Sequence, residues 1–173
     1  MPIEGEQRGA ITPPNPEDDL VAVFHDGIIG AVAGFVGTVS MTVVLGIGQL
    51  LGVFDLTTFA SIAELGGLDV LFDESLMPYL GYLVFLAGGM TTWPLIFAAI
   101  ERFLPGTSLP KRGVSFGTVM WTGFVIAFVD VLPPNPATTQ IALYAGFTLL
   151  AHWIYGYGLG WVFDYSLERD FFA

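Results

Sequence analysis

A histidine sits inside one of the most apolar stretches of this chain, "LLAHWIYGYGLGWVFDY" at residues 149–165. An imidazole at such a place can ligate a haem iron, relay a proton or hydrogen-bond to a neighbouring helix. Tyr155 follows His152 by three positions and shares its helical face. A haem needs a second axial ligand at matching depth. His25 lies at the mouth of the first apolar run, whereas His152 lies about 11 residues inside the last one. At 1.5 Å per residue the two depths differ by roughly 15 Å, too far for one iron. Met41 matches His152 better, although methionine more often fills gaps than ligates. The expectation is therefore a polar contact from His152 to Thr38, Ser40, Thr42, Thr118 or Thr122 on neighbouring helices. In membranes such bonds average under ~1 kcal/mol.

Other chemistry lacks its residues. Asp26, Glu101, Asp130 and Asp164 stand at the ends of apolar runs, and no carboxylate pair or Ser-His-Asp set lies within them. No His/Glu cluster has metal-ligand spacing, and the absence of cysteine excludes thiolate sites and disulfides. No enzyme activity, cofactor or metal is expected. A net charge of −11 argues against nucleic-acid binding, which needs basic patches to neutralise phosphates. Sixteen acidic residues against five basic ones suggest a salt-loving source, because salt screens the self-repulsion.

The elements that must position these residues follow from hydropathy. Charged residues make up 12% of the chain, against about a quarter in a soluble domain. Gly27–Phe54, Ser75–Ile100, Gly113–Val129 and Val131–Phe163 carry no Asp, Glu, Lys or Arg. About 17–20 apolar residues cross the hydrocarbon core, so four crossings fit. The fold class expected is all-α, a polytopic transmembrane four-helix bundle within 27–165, with spans at 27–52, 77–100, 113–131 and 139–163.

Residues 1–26, acidic and proline-rich, lack the basic start and apolar core of a signal peptide and read as a flexible cytoplasmic tail. Residues 166–173 read as a second tail. Arg8, Arg102, Lys111, Arg112 and Arg169 then all fall on one side of the membrane. Basic residues favour the cytoplasmic side, which places both termini there and makes this a multi-pass protein of the cell membrane. The 53–76 segment falls outside, and "TTFASIAELGG" within it has helical periodicity, with Thr57 or Thr58 as N-cap. We read it as a short amphipathic helix; an ordinary loop is the alternative.

Small residues mark the packing faces. Without a hydrophobic drive between helices in lipid, close backbone approach through glycine supplies the association. Gly30, Gly34 and Thr38 line one face of the first span, Gly113 and Gly117 the third, and Gly156 and Gly160 the fourth. These seams serve either docking onto another membrane subunit or packing within the bundle. In the second span, Pro94 of "GGMTTWPL" should kink the helix. "GTVSMT" at 37–42 pairs with "GTVMWT" at 117–122, and "YLGYLVFLA" at 79–87 with "YAGFTLLA" at 144–151. The pairs read as two parallel hairpin repeats, with chance likeness between apolar helices as the alternative.

The pattern Gly-x-x-x-Gly-x-x-x-Thr-x-x-Met (Gly30, Gly34, Thr38, Met41) with His-x-x-Tyr-Gly-x-x-x-Gly (His152, Tyr155, Gly156, Gly160) resembles a group of small, uncharacterised four-span proteins of haloarchaea, more distantly YagU-like inner-membrane proteins. The resemblance spans the membrane part and implies the four-span architecture. It implies no activity. The functional expectation is a non-catalytic accessory or scaffold subunit of a larger membrane complex, such as a respiratory one, with the lipid bilayer and other membrane subunits or a second copy as partners. A small homo-oligomeric transporter or channel is the competing class, and a haem-binding redox subunit a third.

Overall fold

The computed structural model describes residues 16–128 and 136–169. Within these residues every element is helical. The order is α1 (Pro16–Leu50), α2 (Thr58–Leu65), α3 (Met77–Met90), α4 (Thr92–Ile100), α5 (Leu109–Ala127) and α6 (Thr138–Arg169). Short 3-10 turns lie at Leu68–Val70, Glu74–Leu76 and Glu101–Phe103. Two helical stretches, His25–Leu50 and Glu74–Phe103, are long and apolar enough to cross a membrane.

Several boundaries differ from the hydropathy reading. α1 begins at Pro16, so residues 16–26 are helical rather than a tail. Proline suits a first helical turn because its missing N–H would have no partner there. Residues 1–15 of the expected tail lie outside the described residues, as do 132–135 of the turn before α6 and 170–173 of the second tail. α6 runs on to Arg169, so 166–169 are helical too.

The second apolar run breaks into α3 and α4 at Thr91 (φ −119°, ψ −68°). Pro94 has no N–H to give to a carbonyl one turn back, and its ring is fully buried against α1. Thr91 donates both its hydroxyl, at 2.7 Å, and its backbone N–H, at 3.0 Å, to Ala87 O. α2 is the short helix expected in 53–76, yet its N-terminal bond differs. Asp55, not a threonine, accepts from Thr57 N at 2.8 Å, and Thr57 makes no side-chain cap.

α1 packs antiparallel against α3 and α4 on one side and against α6 on the other, while α5 runs antiparallel along α6. Phe97 of α4 joins Phe116 of α5 and Phe163 of α6, with ring centroids 5.4 and 5.8 Å apart. This aromatic cluster closes the end of the bundle that carries the 101–108 loop. Arg112 pairs with Glu101 there and straps the loop to α5. At the opposite end α2 packs on α3, with Phe59 and Ala63 buried. Between these two closures α3 and α5 stand apart. Of the similar sequence pairs, Gly37 and Gly117 both pack against α6, at Tyr155 and His152, whereas Gly81 packs on the Phe59 backbone and a Cβ on Gly146 would meet nothing within 4 Å.

Candidate functional site

The space between α3 and α5 is a cavity of about 440 Å³. α6 contributes His152 and Tyr155 and α1 contributes Thr38 and Met41, while Ile62 of α2 reaches it from one end. Its walls are apolar and aromatic: Phe85 and Trp93 on the α3–α4 side, Phe124 and Phe128 on the α5 side. Among the lining residues, Val84, Trp93, Gly123 and Ala127 are also exposed on the outside of the bundle. The cavity therefore has a lateral mouth between α3–α4 and α5.

Each polar group deep in this space has a defined state. Thr38, fully buried, donates its hydroxyl to Gly34 O at 2.7 Å. Tyr155 donates to Gly89 O at 2.9 Å. Gly89 lies in the last turn of α3, where carbonyls lack a partner further along the helix. Helix α6 thus satisfies a carbonyl that the Thr91 break exposes. His152 is 4% exposed, and its Nδ1 lies 2.8 Å from Thr148 O. A carbonyl oxygen can only accept, so Nδ1 carries the proton and, in the neutral ring, Nε2 keeps a free lone pair. Nε2 has no hydrogen-bond partner among the described residues, and the ring lines the cavity. Phe124 tilts against this ring with centroids 5.1 Å apart.

His152 does not make the interhelical contact expected of it. The hydroxyls proposed as its partners are engaged within their own helices: Ser40 to Val36 O, Thr42 to Thr38 O, Thr118 to Val114 O and Thr122 to Val119 O. Short hydroxyl side chains reach the carbonyl one turn back more easily than a ring on another helix. The polar bridges between helices come instead from Tyr155, from two indoles and from Thr42, whose Oγ1 lies 3.5 Å from Tyr82 Oη. Trp121 donates to Thr148 Oγ1 at 3.1 Å, and Trp153 to Thr118 Oγ1 at 2.8 Å. Met41 is buried and lines the same cavity as His152, so the depth match read from the sequence places them around one space.

The small residues are consumed inside the chain. A Cβ on Gly113 would lie 2.7 Å from the carbonyl carbon of Gly156, and one on Gly117 2.8 Å from that of His152. Gly160 meets the Leu109 backbone in the same way. Gly34 faces Met90 and Pro94, while Thr38 lies against Gly89. At Gly30 only ordinary contacts with Pro94 and Phe163 would arise, at 3.5 and 3.8 Å. The seams are thus intramolecular, and the Gly113/Gly117 and Gly156/Gly160 pairs interlock with each other. The sequence reading missed Gly123, Phe124 and Trp93. Nothing marks them in an apolar helix until α3 and α5 are seen to diverge. Among the described residues no group of three His, Asp or Glu side chains could hold a metal.

No curated protein and no solved structure matches the chain. The family of unknown function DUF6789 matches residues 24–172, which takes in most of α1 and all of α2 to α6, and the chain belongs to that family.

Proposed function

We propose that this chain is a four-span integral protein of the cell membrane, without catalytic activity, that holds a lipid-phase molecule in the cavity beside His152. The single observation that carries this reading is an apolar cavity of about 440 Å³ with a lateral mouth and one open acceptor deep within it. Binding sites for small molecules have this make-up: mostly apolar walls, a few placed polar groups and a volume of roughly 300–1,000 Å³. In the four-span arrangement α5 and α6 supply the third and fourth crossings. The 19 residues of α5 are about 28 Å long, close to the hydrocarbon thickness. The mouth then opens sideways into lipid. The clustering of Arg102, Lys111 and Arg112 near the 101–108 loop supports cytoplasmic termini.

Because the chain has no native cysteine, single cysteines report position cleanly. Thr107→Cys should react with an impermeant maleimide only in inverted vesicles, and Asp69→Cys only in right-side-out ones. Gly123→Cys should react with a lipid-soluble maleimide and resist the impermeant reagent from both sides. Labelling of Gly123→Cys by the impermeant reagent would make the cavity aqueous and favour the transporter or channel class.

An accessory role in a larger complex is the second reading. It keeps one observation in its favour: a Cβ on Gly46 or Gly146 would meet open space, so small residues remain on outer faces. Stoichiometric co-purification with larger subunits in mild detergent tests it.

A further inference from the structure

Resting on that binding reading, we infer that the occupant is an aromatic alcohol of the lipid phase, a phenol or hydroquinone ring, whose hydroxyl donates to Nε2 of His152. The hydrogen bond from Nδ1 to Thr148 O sets the polarity of the site. With the proton held on that side, the neutral imidazole presents only an acceptor to the cavity. The other polar groups deep in the cavity spend their protons on backbone, Thr38 on Gly34 O and Tyr155 on Gly89 O, while the lining's remaining side-chain donors, Thr92 and the Trp93 indole, stand on its exposed side. The deep end therefore offers lone pairs and no free proton. A ligand that brings a hydroxyl satisfies it, whereas a ketone or ether facing Nε2 sets acceptor against acceptor. Charged ligands are excluded because the described lining holds no Asp, Glu, Lys or Arg.

The walls select a ring. Phe124 leans over His152, and Phe85, Trp93 and Phe128 complete an aromatic surround. Flat aromatic faces pack against one another in offset or edge geometry. The mouth at Val84, Trp93, Gly123 and Ala127 leaves room for an alkyl substituent of the ring to trail outside the bundle.

The test uses the full chain in nanodiscs with two probes of nearly one shape, 4-butylphenol and 4-butylanisole, read by tryptophan fluorescence. Gly123→Trp, which fills the cavity from α5, serves as the blank for partition into lipid. The wild-type chain should bind the phenol roughly three- to ten-fold more tightly than the ether, the worth of one hydrogen bond in this setting. His152→Leu should bring the two within about two-fold of each other while binding persists. The chain has two histidines, so a ¹⁵N-histidine spectrum resolves the effect directly. The phenol should shift Nε2 of His152 from the unprotonated position toward a hydrogen-bonded one, and the ether should not. Equal binding of both probes, with Nε2 unmoved, overturns the hydroxyl assignment and leaves the cavity reading standing. No binding of either probe beyond the Gly123→Trp blank overturns both. A Soret band in the purified protein that His152→Leu abolishes gives the cavity to haem and overturns the inference.

Discussion

The α5–α6 seam gives the sharpest prediction. A Cβ added at Gly113 would lie 2.7 Å from the carbonyl carbon of Gly156, where carbon atoms rest at about 3.5–4.0 Å. Neither group is a flexible side chain, so the helices themselves must part by about 1 Å. A gap of that size forfeits a quarter to a half of each contact's ~0.1–0.2 kcal/mol. Across roughly 40 atom pairs, about those of one well-packed leucine, the loss is about 2 kcal/mol. The Trp121–Thr148 and Trp153–Thr118 bonds bridge the same two helices. Stretching them removes a further ~1 kcal/mol at the average worth of such bonds in membranes. Alanine, the better helix former, returns up to ~1 kcal/mol. Gly113→Ala should therefore cost about 2 kcal/mol net.

Gly146→Ala is the control. It lies on the same helix as Gly156, and its Cβ would meet nothing within 4 Å, so the change should be neutral or slightly stabilising. Reversible unfolding in mixed micelles of rising SDS content, followed by circular dichroism, measures both. Gly113→Ala and Gly156→Ala should also be strongly non-additive, because the first substitution already opens the gap that the second needs. Equal midpoints for Gly113→Ala and Gly146→Ala, or full additivity of the seam pair, would refute intramolecular interlocking and return these glycines to a partner.

Other predictions follow from single contacts. Tyr155→Phe leaves Gly89 O without its donor beside the Thr91 break; it should cost about 1–2 kcal/mol by the same assay and raise hydrogen exchange in α4. Gly81→Val should pry α2 from α3, since even a Cβ there meets the Phe59 backbone; the expected readout is proteolysis within 55–76 of a chain whose other helices stay protected. Glu101→Gln removes the partner of Arg112 at a half-buried site and should cost ~1 kcal/mol or less, with the deficit shrinking as salt rises. If the source is salt-loving, the net charge of −11 should make the melting temperature climb with salt; greatest stability in dilute buffer would contradict it.

Hydropathy and spacing exposed the bundle's parts because those signals are local. The apolar runs, the kink at Pro94 and the periodicity of "TTFASIAELGG" each depend on neighbours within a few residues. The helical start at Pro16 escaped this reading because an acidic, proline-rich composition reads as a tail. The Gly-x-x-x-Gly spacing marked which faces approach closely, but it could not name their partners. Gly113 meets Gly156 rather than another chain because α5 lies antiparallel to α6 in that register, which no local signal states.

The candidate site was half legible for the same reason. His152 and Met41 could be placed at one depth, since rise per residue is fixed in a helix. Whether His152 reached a neighbour's hydroxyl depended on where those hydroxyls turned, and short side chains turn back to their own backbone. That local competition leaves the imidazole bonded to Thr148 O with its second nitrogen open. The cavity into which it opens follows from one break and two closures. Pro94 bends α4 inward against α1, and the Phe97–Phe116–Phe163 cluster pulls one end of the bundle together. α2 braces α3 at the other end through Phe59. With both ends held, the diverging middle of α3 and α5 must be filled by side chains or by a ligand, and opposite it the chain offers Gly88 and Gly123. A bundle that needed only to pack would place larger side chains there, so the glycines favour an occupant.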